Sequence, residues 1–382
     1  MANIVPVLAI DALIQSYLDK PANELAGLVI MAVDKKGKFI YRNALGKRSV
    51  NPGKNEAMTM DTVHWIASQT KLMTAVAVMQ CVERGQIGLD DPVGEVCPEL
   101  AGRMIIEGFE DDGTPKMRNT KTKITLRYKP SVSSSILNCP SICMSRLSSF
   151  SNHTSGFAYA ALHPSLTPTA IKKWIKATGF KPKLTTGHID TCDFPLIFEP
   201  ESRWMYGVGV DWAGQVVERL NNCTLEEYMA KHIFQPLDMT DTTFHPEYRP
   251  DFDSRMVDTC VRRPDGSLEP GKQLYARPAA QGLGGAGCYS TCPDYIKFLT
   301  AILQDGGAIL KKESVDEIFK PQLTDSAQLS FNFLRKWFSW TPTSVEISFG
   351  LTVDINVDPI PGGRAAGSGN WGGLPMLAWW YV

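Results

Sequence analysis

A serine and a lysine three residues apart open an almost entirely apolar stretch of the chain. Ser68 and Lys71 begin the segment SQTKLMTAVAVMQCVERG, which ends at Gly85. Residues i and i+3 share one face of a helix, so the serine hydroxyl and the lysine amine can meet. The helix dipole favours a negative oxygen at this end, and burial favours the neutral form of the amine. The pair is therefore a candidate nucleophile and base.

Two further segments carry groups that could serve the same site. Tyr206, in WMYG, lies just before a predicted helix, and its phenol could relay a proton. The glycine-rich segment Gly367–Gly373 could bring a backbone N–H close to a ligand. Each feature also has a simpler interpretation, namely a helix cap, ordinary packing and a flexible turn. A lysine in the first turn of an apolar helix is costly to bury without a function, which favours the catalytic interpretation.

These three elements, in this order, resemble the motifs S-x-x-K, S-D-N and K-T-G of the serine β-lactamase and penicillin-binding-protein superfamily. The similarity is to the class C-like esterase and transesterase branch, which includes the fungal lovastatin-type polyketide acyltransferases. It implies an α/β (α+β) fold of the β-lactamase/transpeptidase type, with an antiparallel sheet flanked by helices and a mainly helical lobe. The supporting segments are residues 67–85, 107–127, 153–159 (HTSGFAY), 204–220 and 284–295.

The resemblance also implies a role for each site residue. Ser68 would be the nucleophile, Lys71 its base and Tyr206 the tyrosine that assists proton transfer. No metal and no cofactor are implied. The oxyanion hole would consist of the backbone N–H groups of Ser68, Gly373 and Leu374, and the substrate-binding residues would be Tyr159, Trp371 and Gly372.

The chain departs from the β-lactam-binding pattern at two motifs. Trp371 and Gly372 stand where K-T-G has its lysine and threonine, and Val208 stands where Y-x-N has its asparagine. Those lost groups hold the carboxylate or the amide of a β-lactam. We therefore expect poor hydrolysis of β-lactams.

The resemblance predicts one catalytic domain of two lobes, and two irregularities within it. The sheet lobe would comprise residues 1–60 and 284–382, and the helical lobe residues 61–283. Tyr128–Asn152 is serine-rich, has neither helical nor strand periodicity, and is interpreted as an insertion. The final strand and C-terminal helix of the family are expected to be missing after Val382.

Composition excludes several classes of partner. The 382 residues carry 39 basic and 40 acidic side chains, with a net charge of −1, so we expect neither nucleic acid nor an anionic membrane as a partner. No secretory signal or membrane-length apolar run is found, which predicts a cytoplasmic protein, and we expect a monomer. Nine cysteines without zinc-like spacing predict reduced thiols.

Periodicity and turn residues predict the remaining elements. A helix, a hairpin and an exposed loop precede the active-site tyrosine, and further helices and strands follow it. The predicted elements are the helix Ala2–Leu18, the hairpin Leu25–Asp34 and Lys38–Leu45, the loop Gly108–Lys123, the helices Val210–Leu220, Leu225–His232 and Thr291–Leu303, and the strands Ser344–Val353 and Leu374–Val382.

Three functions fit this sequence. The first is a serine acyltransferase that moves an acyl group from a thioester, borne on a small molecule or on a carrier protein of a polyketide synthase, to a hydroxyl of a small secondary metabolite. The second is a carboxylesterase that uses the same residues with water as acceptor. The third is an inactive relic, suggested by the insertion and by the missing C-terminal elements.

Overall fold

A computed structural model of the chain describes residues 7–20, 25–125, 150–160, 167–182, 186–337 and 339–382. Its helices are α1 (Val7–Leu18), α2 (Thr70–Glu83), α3 (Thr169–Thr178), α4 (Gly209–Asn221), α5 (Leu225–Met229), α6 (Pro250–Asp253), α7 (Cys292–Leu303), α8 (Lys312–Ile318) and α9 (Asp325–Leu334). Its strands are β1 (Gly27–Val33), β2 (Phe39–Gly46), β3 (Val63–Trp65), β4 (Met104–Phe109), β5 (Pro115–Asn119), β6 (Cys260–Arg262), β7 (Leu268–Pro270), β8 (Tyr289–Thr291), β9 (Ile347–Phe349), β10 (Asp354–Asn356), β11 (Gly369–Gly373) and β12 (Leu377–Tyr381).

The strands pair antiparallel throughout. β9 to β12 form a four-stranded sheet in the order β12-β11-β10-β9, and β1 and β2 form a separate hairpin. The remaining strands pair as β3 with β8, β4 with β5 and β6 with β7. Helices and antiparallel strands together confirm the predicted fold class.

A large cavity lies between the hairpin and the four-stranded sheet. In the described part of the chain β1 pairs with β2 alone and β12 with β11 alone, so one edge of each strand faces this space. The cavity has a volume of about 1280 Å³, and its lining includes Ile30 on β1, Trp379 on β12 and Leu299 on α7. Within the described residues the hairpin packs against α7 and α1 and has no backbone pairing with β12.

Helix α2 runs through the core, as its sequence predicts. Every residue from Thr70 to Cys81 is buried, because apolar side chains occur on all of its faces. α2 packs against α4, α5 and α8. The chain leaves the helix at Gly85, whose φ of 68° is a left-handed conformation that glycine adopts without strain.

Three helices predicted from caps and periodicity are confirmed. α4 and α7 match their predicted ranges to within one residue. The hydroxyl of Thr291 accepts the N–H of Asp294 at 3.4 Å and so caps α7. α5 begins with a capping box between Thr224 and Glu227, and it continues into a π-helical turn over Ala230–Phe234.

The prediction of a loop over Gly108–Lys123 is wrong, because most of this segment belongs to the hairpin β4–β5. The side chains of β5 are half-buried or exposed, so no apolar alternation marks it as a strand. Its turn is locally specified, since the Asp112 carboxylate accepts the N–H of Thr114 at 2.8 Å. Because turn residues lie in the middle of the segment, its sequence favoured a loop over the two strands that flank the turn.

The C-terminal strands differ from prediction in three places. Ser344–Val353 is not one strand, because the chain turns after β9 and returns as β10, with Thr352 at φ 69° in the turn. The glycine-rich segment is strand β11 rather than a turn. Its Gly369 is required because a Cβ there would lie 2.5 Å from the Phe319 ring. β12 begins only at Leu377, after a turn at Met376.

The predicted insertion falls mostly outside the described residues. Positions 128–149 lie outside them, whereas its last three residues are part of the fold. Phe150 is fully buried, and its ring centroid lies 6.2 Å from that of Phe157. The Asn152 side-chain oxygen accepts hydrogen bonds from the N–H and the hydroxyl of Thr154. Residues 150–152 therefore anchor the segment that follows them.

Helices in the described ranges are all too short or too polar to cross a membrane. Among the same residues, no cluster of three or more His, Cys, Asp or Glu side chains could hold a metal ion.

Candidate active site

Ser68 lies on a tight turn between β3 and α2. The N–H of Ile66 donates to the Cys288 carbonyl at 3.0 Å, and a short 3-10 turn then leads over Ala67–Gln69 into the helix. Ala67 has φ 45°, a strained backbone conformation for a residue with a side chain. The Thr70 hydroxyl donates to the Ala67 carbonyl at 2.6 Å and stabilises the turn. The strain is thus held beside the candidate nucleophile, which is itself partly exposed.

Two groups contact the Ser68 hydroxyl from different elements. Lys71 Nζ lies 3.1 Å from Ser68 Oγ, as the i, i+3 spacing predicted. The Tyr206 hydroxyl, at the approach to α4, lies 2.6 Å from the same oxygen. Both distances are within the range for proton transfer along a hydrogen bond. The structure therefore brings the three predicted catalytic residues together.

Lys71 is fully buried and has three oxygen neighbours. Besides Ser68 Oγ, its Nζ lies 3.0 Å from the Tyr159 hydroxyl and 2.6 Å from the Gly285 carbonyl. As an ammonium, Lys71 can donate to all three oxygens. As a neutral amine, it can donate to two of them and accept the Ser68 proton. The same position thus suits the base before and after it takes the proton.

The two tyrosines are held by the segment around His153. The Met205 N–H donates to the His153 carbonyl at 2.9 Å, and the imidazole contacts the Tyr206 ring edge-on at 4.7 Å between centroids. Burial, and then the Lys71 charge, lower the pKa of His153 well below its ordinary value. Burial raises the pKa of Tyr159 well above its ordinary value. Both side chains are therefore neutral partners at physiological pH.

Strand β11 forms the opposite side of the site. Trp371 is 6% exposed, and its ring centroid lies 5.4 Å from that of Tyr206. A Cβ on Gly373 would lie 2.5 Å from the Ile66 carbonyl oxygen, so the end of β11 adjoins the turn that carries Ser68. Gly372 instead lies against the Trp340 ring, and Leu374 is 47% exposed. Trp371 and Gly373 adjoin the catalytic residues directly.

Sequence reasoning missed two neighbours of Lys71. The Gly285 carbonyl is an acceptor for its Nζ, and the Asp211 carboxylate accepts the N–H of Gly285 at 2.8 Å. The only local signals are a Gly-Gly pair and an acidic residue in the first turn of a predicted helix. Neither signal indicates a contact with Lys71.

Comparison with known proteins decides the family. The family model described as Beta-lactamase matches residues 10–127 and 146–367. The chain belongs to the beta-lactamase family. The unmatched residues between these ranges lie within the predicted insertion.

Relatives of this beta-lactamase family member are named as esterases and acyltransferases. It is 32% identical to a lovastatin esterase of Penicillium rubens, over 97% of this chain and 88% of the relative. It is 30% identical to a monacolin J acid methylbutanoyltransferase of Aspergillus terreus, over 94% of this chain and 84% of the relative. The unliganded simvastatin synthase LovD of Aspergillus terreus superposes with a TM-score of 0.84 at 28% identity, covering 100% of this chain and 90% of LovD. The predicted resemblance and the prediction of an enzyme are confirmed.

Proposed function

We propose that this protein is a serine acyltransferase that moves an acyl group from a thioester to the hydroxyl of a small secondary metabolite. The observation that carries the proposal is the contact of one partly exposed Ser68 hydroxyl with both Lys71 and Tyr206. The names of the relatives support the reaction class, since they include a methylbutanoyltransferase and an esterase. The thioester is either free or borne on a carrier protein.

Acylation begins at the Ser68 hydroxyl. Ser68 Oγ attacks the thioester carbonyl carbon while its proton passes to Lys71 Nζ. The oxyanion that forms accepts hydrogen bonds from backbone N–H groups at Ser68 and at the end of β11, near Gly373 and Leu374. The C–S bond then breaks, and the leaving thiolate takes the proton through the Tyr206 hydroxyl. An acyl-Ser68 ester and a free thiol result.

Transfer repeats these steps in reverse with an alcohol in place of the thiol. The acceptor hydroxyl gives its proton to the same Lys71–Tyr206 pair and attacks the ester carbonyl. The Ser68 oxygen leaves and recovers the proton, so the enzyme returns to its starting state and the product is a new ester. One base thus serves both halves of a ping-pong reaction.

The surroundings of Tyr206 favour an organic acceptor over water. His153, Trp204 and Trp371 all place aromatic rings against the Tyr206 ring, and each of the three is buried. These buried rings exclude water from one side of Tyr206, which limits water as a competing acceptor. Hydrolysis is the second candidate, because one relative is named a lovastatin esterase. The intact constellation of Ser68, Lys71 and Tyr206 argues against an inactive relic.

A product-partition experiment tests the proposal. The purified chain is incubated with the N-acetylcysteamine thioester of 2-methylbutanoate, with and without monacolin J acid as acceptor, and the products are measured by liquid chromatography and mass spectrometry. The proposal predicts that ester formation exceeds thioester hydrolysis when the acceptor is present. Exclusive formation of free acid would make the protein an esterase. No consumption of thioester above that of Ser68→Ala would refute both functions.

A further inference from the structure

A buried carboxylate, that of Asp211, is connected to the candidate base Lys71 through one intervening residue, Gly285. Asp211, in the first turn of α4, is only 3% exposed, and its Oδ1 accepts the N–H of Gly285 at 2.8 Å. The carbonyl of the same glycine accepts Lys71 Nζ at 2.6 Å. Asp211 therefore contacts the residue that holds Lys71, although 74 positions separate it from Gly285 in the sequence.

The backbone of the Gly284–Gly285 pair is tightly enclosed between two helices. The Thr74 hydroxyl of α2 donates to the Gly284 carbonyl at 2.8 Å. A Cβ on Gly284 would lie 2.8 Å from the Val210 carbonyl, and a Cβ on Gly285 would collide with the Asp211 carboxylate. Only glycine fits this close approach. α2 holds the pair from one side, and Asp211 holds it from the other.

We infer that Asp211 is a positioning residue for Lys71. Its carboxylate fixes the Gly285 carbonyl against Lys71 Nζ, and its negative charge balances the ammonium that forms when Lys71 takes the Ser68 proton. The inference rests on the proposed function, since it assigns a purpose to a contact of the proposed base. A buried ammonium needs both hydrogen-bond acceptors and a nearby anion, and Lys71 has both.

The electrostatic surroundings agree with this role. Burial raises the pKa of Asp211 above its ordinary value, and the Lys71 charge and the hydrogen bond from Gly285 offset part of this rise. The start of α4 also favours an anion, because the helix dipole is positive there. The other titratable groups that interact with Lys71 or Asp211 are Tyr159, Tyr206, His153, Cys192 and Tyr275.

Two substitutions separate the charge of Asp211 from its hydrogen bond. Asp211→Asn keeps an oxygen acceptor for Gly285 and removes the charge, while Asp211→Ala removes both. Asp294→Asn is the matched control, because Asp294 is also 3% exposed, lies in the first turn of α7 and accepts a backbone N–H, that of Asp241, at 2.6 Å. The readouts are the pH profile of acylation by p-nitrophenyl acetate and the thermal unfolding of each variant.

Each variant has a distinct expected result. In Asp211→Asn, the acidic limb of the profile moves to lower pH, because the ammonium that forms on Lys71 loses a neighbouring anion. In Asp211→Ala, the plateau rate falls by about 100-fold, because Lys71 is no longer held in place. Asp294→Asn is destabilised but keeps the wild-type profile. Wild-type profiles for both Asp211 variants, with Ser68-dependent acylation intact, would overturn the inference alone.

A measurement without turnover covers the case in which the proposed function itself fails. The ¹⁵Nζ resonance of Lys71, assigned by its loss in Lys71→Arg, is compared between the wild type and Asp211→Asn at one pH. The inference predicts a changed chemical shift in the variant, because the hydrogen bonding and the charge around Lys71 Nζ change. Equal chemical shifts would overturn it, whether or not the wild type forms an acyl-enzyme.

Discussion

Two buried carboxylates, Asp211 beside the active site and Asp354 on β10, show opposite organisation. Asp211 accepts the N–H of Gly285 and interacts electrostatically with the Lys71 charge. Asp354 is 1% exposed, and among the described residues neither of its oxygens has a hydrogen-bond partner of normal geometry. Burial raises the pKa of Asp354 from its ordinary value of 3.8 to about 7, and Ser339 and two arginines offset this only in part.

The polar groups around the two carboxylates also differ in whether they are hydrogen-bonded. Around Lys71, every nitrogen–oxygen contact is a hydrogen bond of 3.1 Å or less. Around Asp354, buried side-chain atoms of Asn356, Ser368 and Asn370 have no hydrogen-bond partner within the described part of the chain. Burial of polar groups alone therefore does not mark a catalytic site in this fold. At the candidate active site the buried Lys71 is paired, and the partly exposed Ser68 hydroxyl ends its network.

The largest expected effect comes from breaking the paired network at its centre. Ser68→Ala and Lys71→Ala should each lower the rate of ester cleavage by at least about 10³-fold, because the two residues act as one unit. The double variant should be scarcely worse than either single variant. Rates are measured with p-nitrophenyl acetate, and thermal unfolding confirms that the variants are folded. Additive losses would mean that the residues do not share a step.

The two tyrosines should differ in importance. Tyr206→Phe removes a hydroxyl 2.6 Å from Ser68 Oγ and should lower the acylation rate by about 10²–10³-fold. Tyr159→Phe removes a hydroxyl that lies 3.0 Å from Lys71 Nζ and should cost about tenfold. Pre-steady-state kinetics of each variant provide the test. Equal losses would place both tyrosines at the proton-transfer step.

β11 connects the surroundings of Asp354 with the active site. Its Asn370 lies opposite Asp354 in the sheet, and its Trp371 packs against Tyr206. The family resemblance predicts that Trp371 replaces the lysine with which β-lactam binders hold the substrate carboxylate. We expect nitrocefin to be hydrolysed at least about 100-fold more slowly than p-nitrophenyl acetate, measured as kcat/KM. Comparable values would show that Trp371 does not determine this selectivity.

The smallest expected effect concerns stability. The folded-state pKa of Asp354 lies above its unfolded value. The contribution of this carboxyl to the free energy of unfolding therefore falls as pH rises from about 4 to about 7. The free energy of unfolding of Asp354→Asn, relative to that of the wild type, should therefore rise by about 2–3 kcal/mol from pH 5 to pH 8. The measurement is urea unfolding at both pH values.

Asp294→Asn is the control for this experiment. Its carboxylate accepts the Asp241 N–H and the Thr242 hydroxyl, so its removal should destabilise the protein at both pH values. If Asp354→Asn behaves in the same way, the carboxylate of Asp354 is paired, and the contrast between the two regions fails.

Local spacing predicted the part of the site that lies within one helix turn. Ser68 and Lys71 are three residues apart, and the structure joins them as that spacing requires. Tyr206 depended on resemblance to a family, because nothing near it in the sequence indicates a contact with Ser68. Asp211 and Gly285 were missed, since a contact across 74 positions leaves no local pattern.

The strands were harder to predict than the helices for a related reason. α7 is specified by its Thr291 cap, and α4 by apolar periodicity within its own sequence. The glycines of β11 reflect contacts with Phe319 and Trp340, which are distant in the chain, so the segment resembles a turn. Tertiary packing decides its conformation.

Peptide mapping of the acylated protein tests the central claim most directly. The wild type and Ser68→Ala are incubated with the N-acetylcysteamine thioester of 2-methylbutanoate, quenched in acid, digested and sequenced by tandem mass spectrometry. The account predicts one acyl group on Ser68 in the wild type, none in Ser68→Ala, and its loss when an alcohol acceptor is added before quenching. An acyl group on another residue that persists in Ser68→Ala and turns over with acceptor would contradict it.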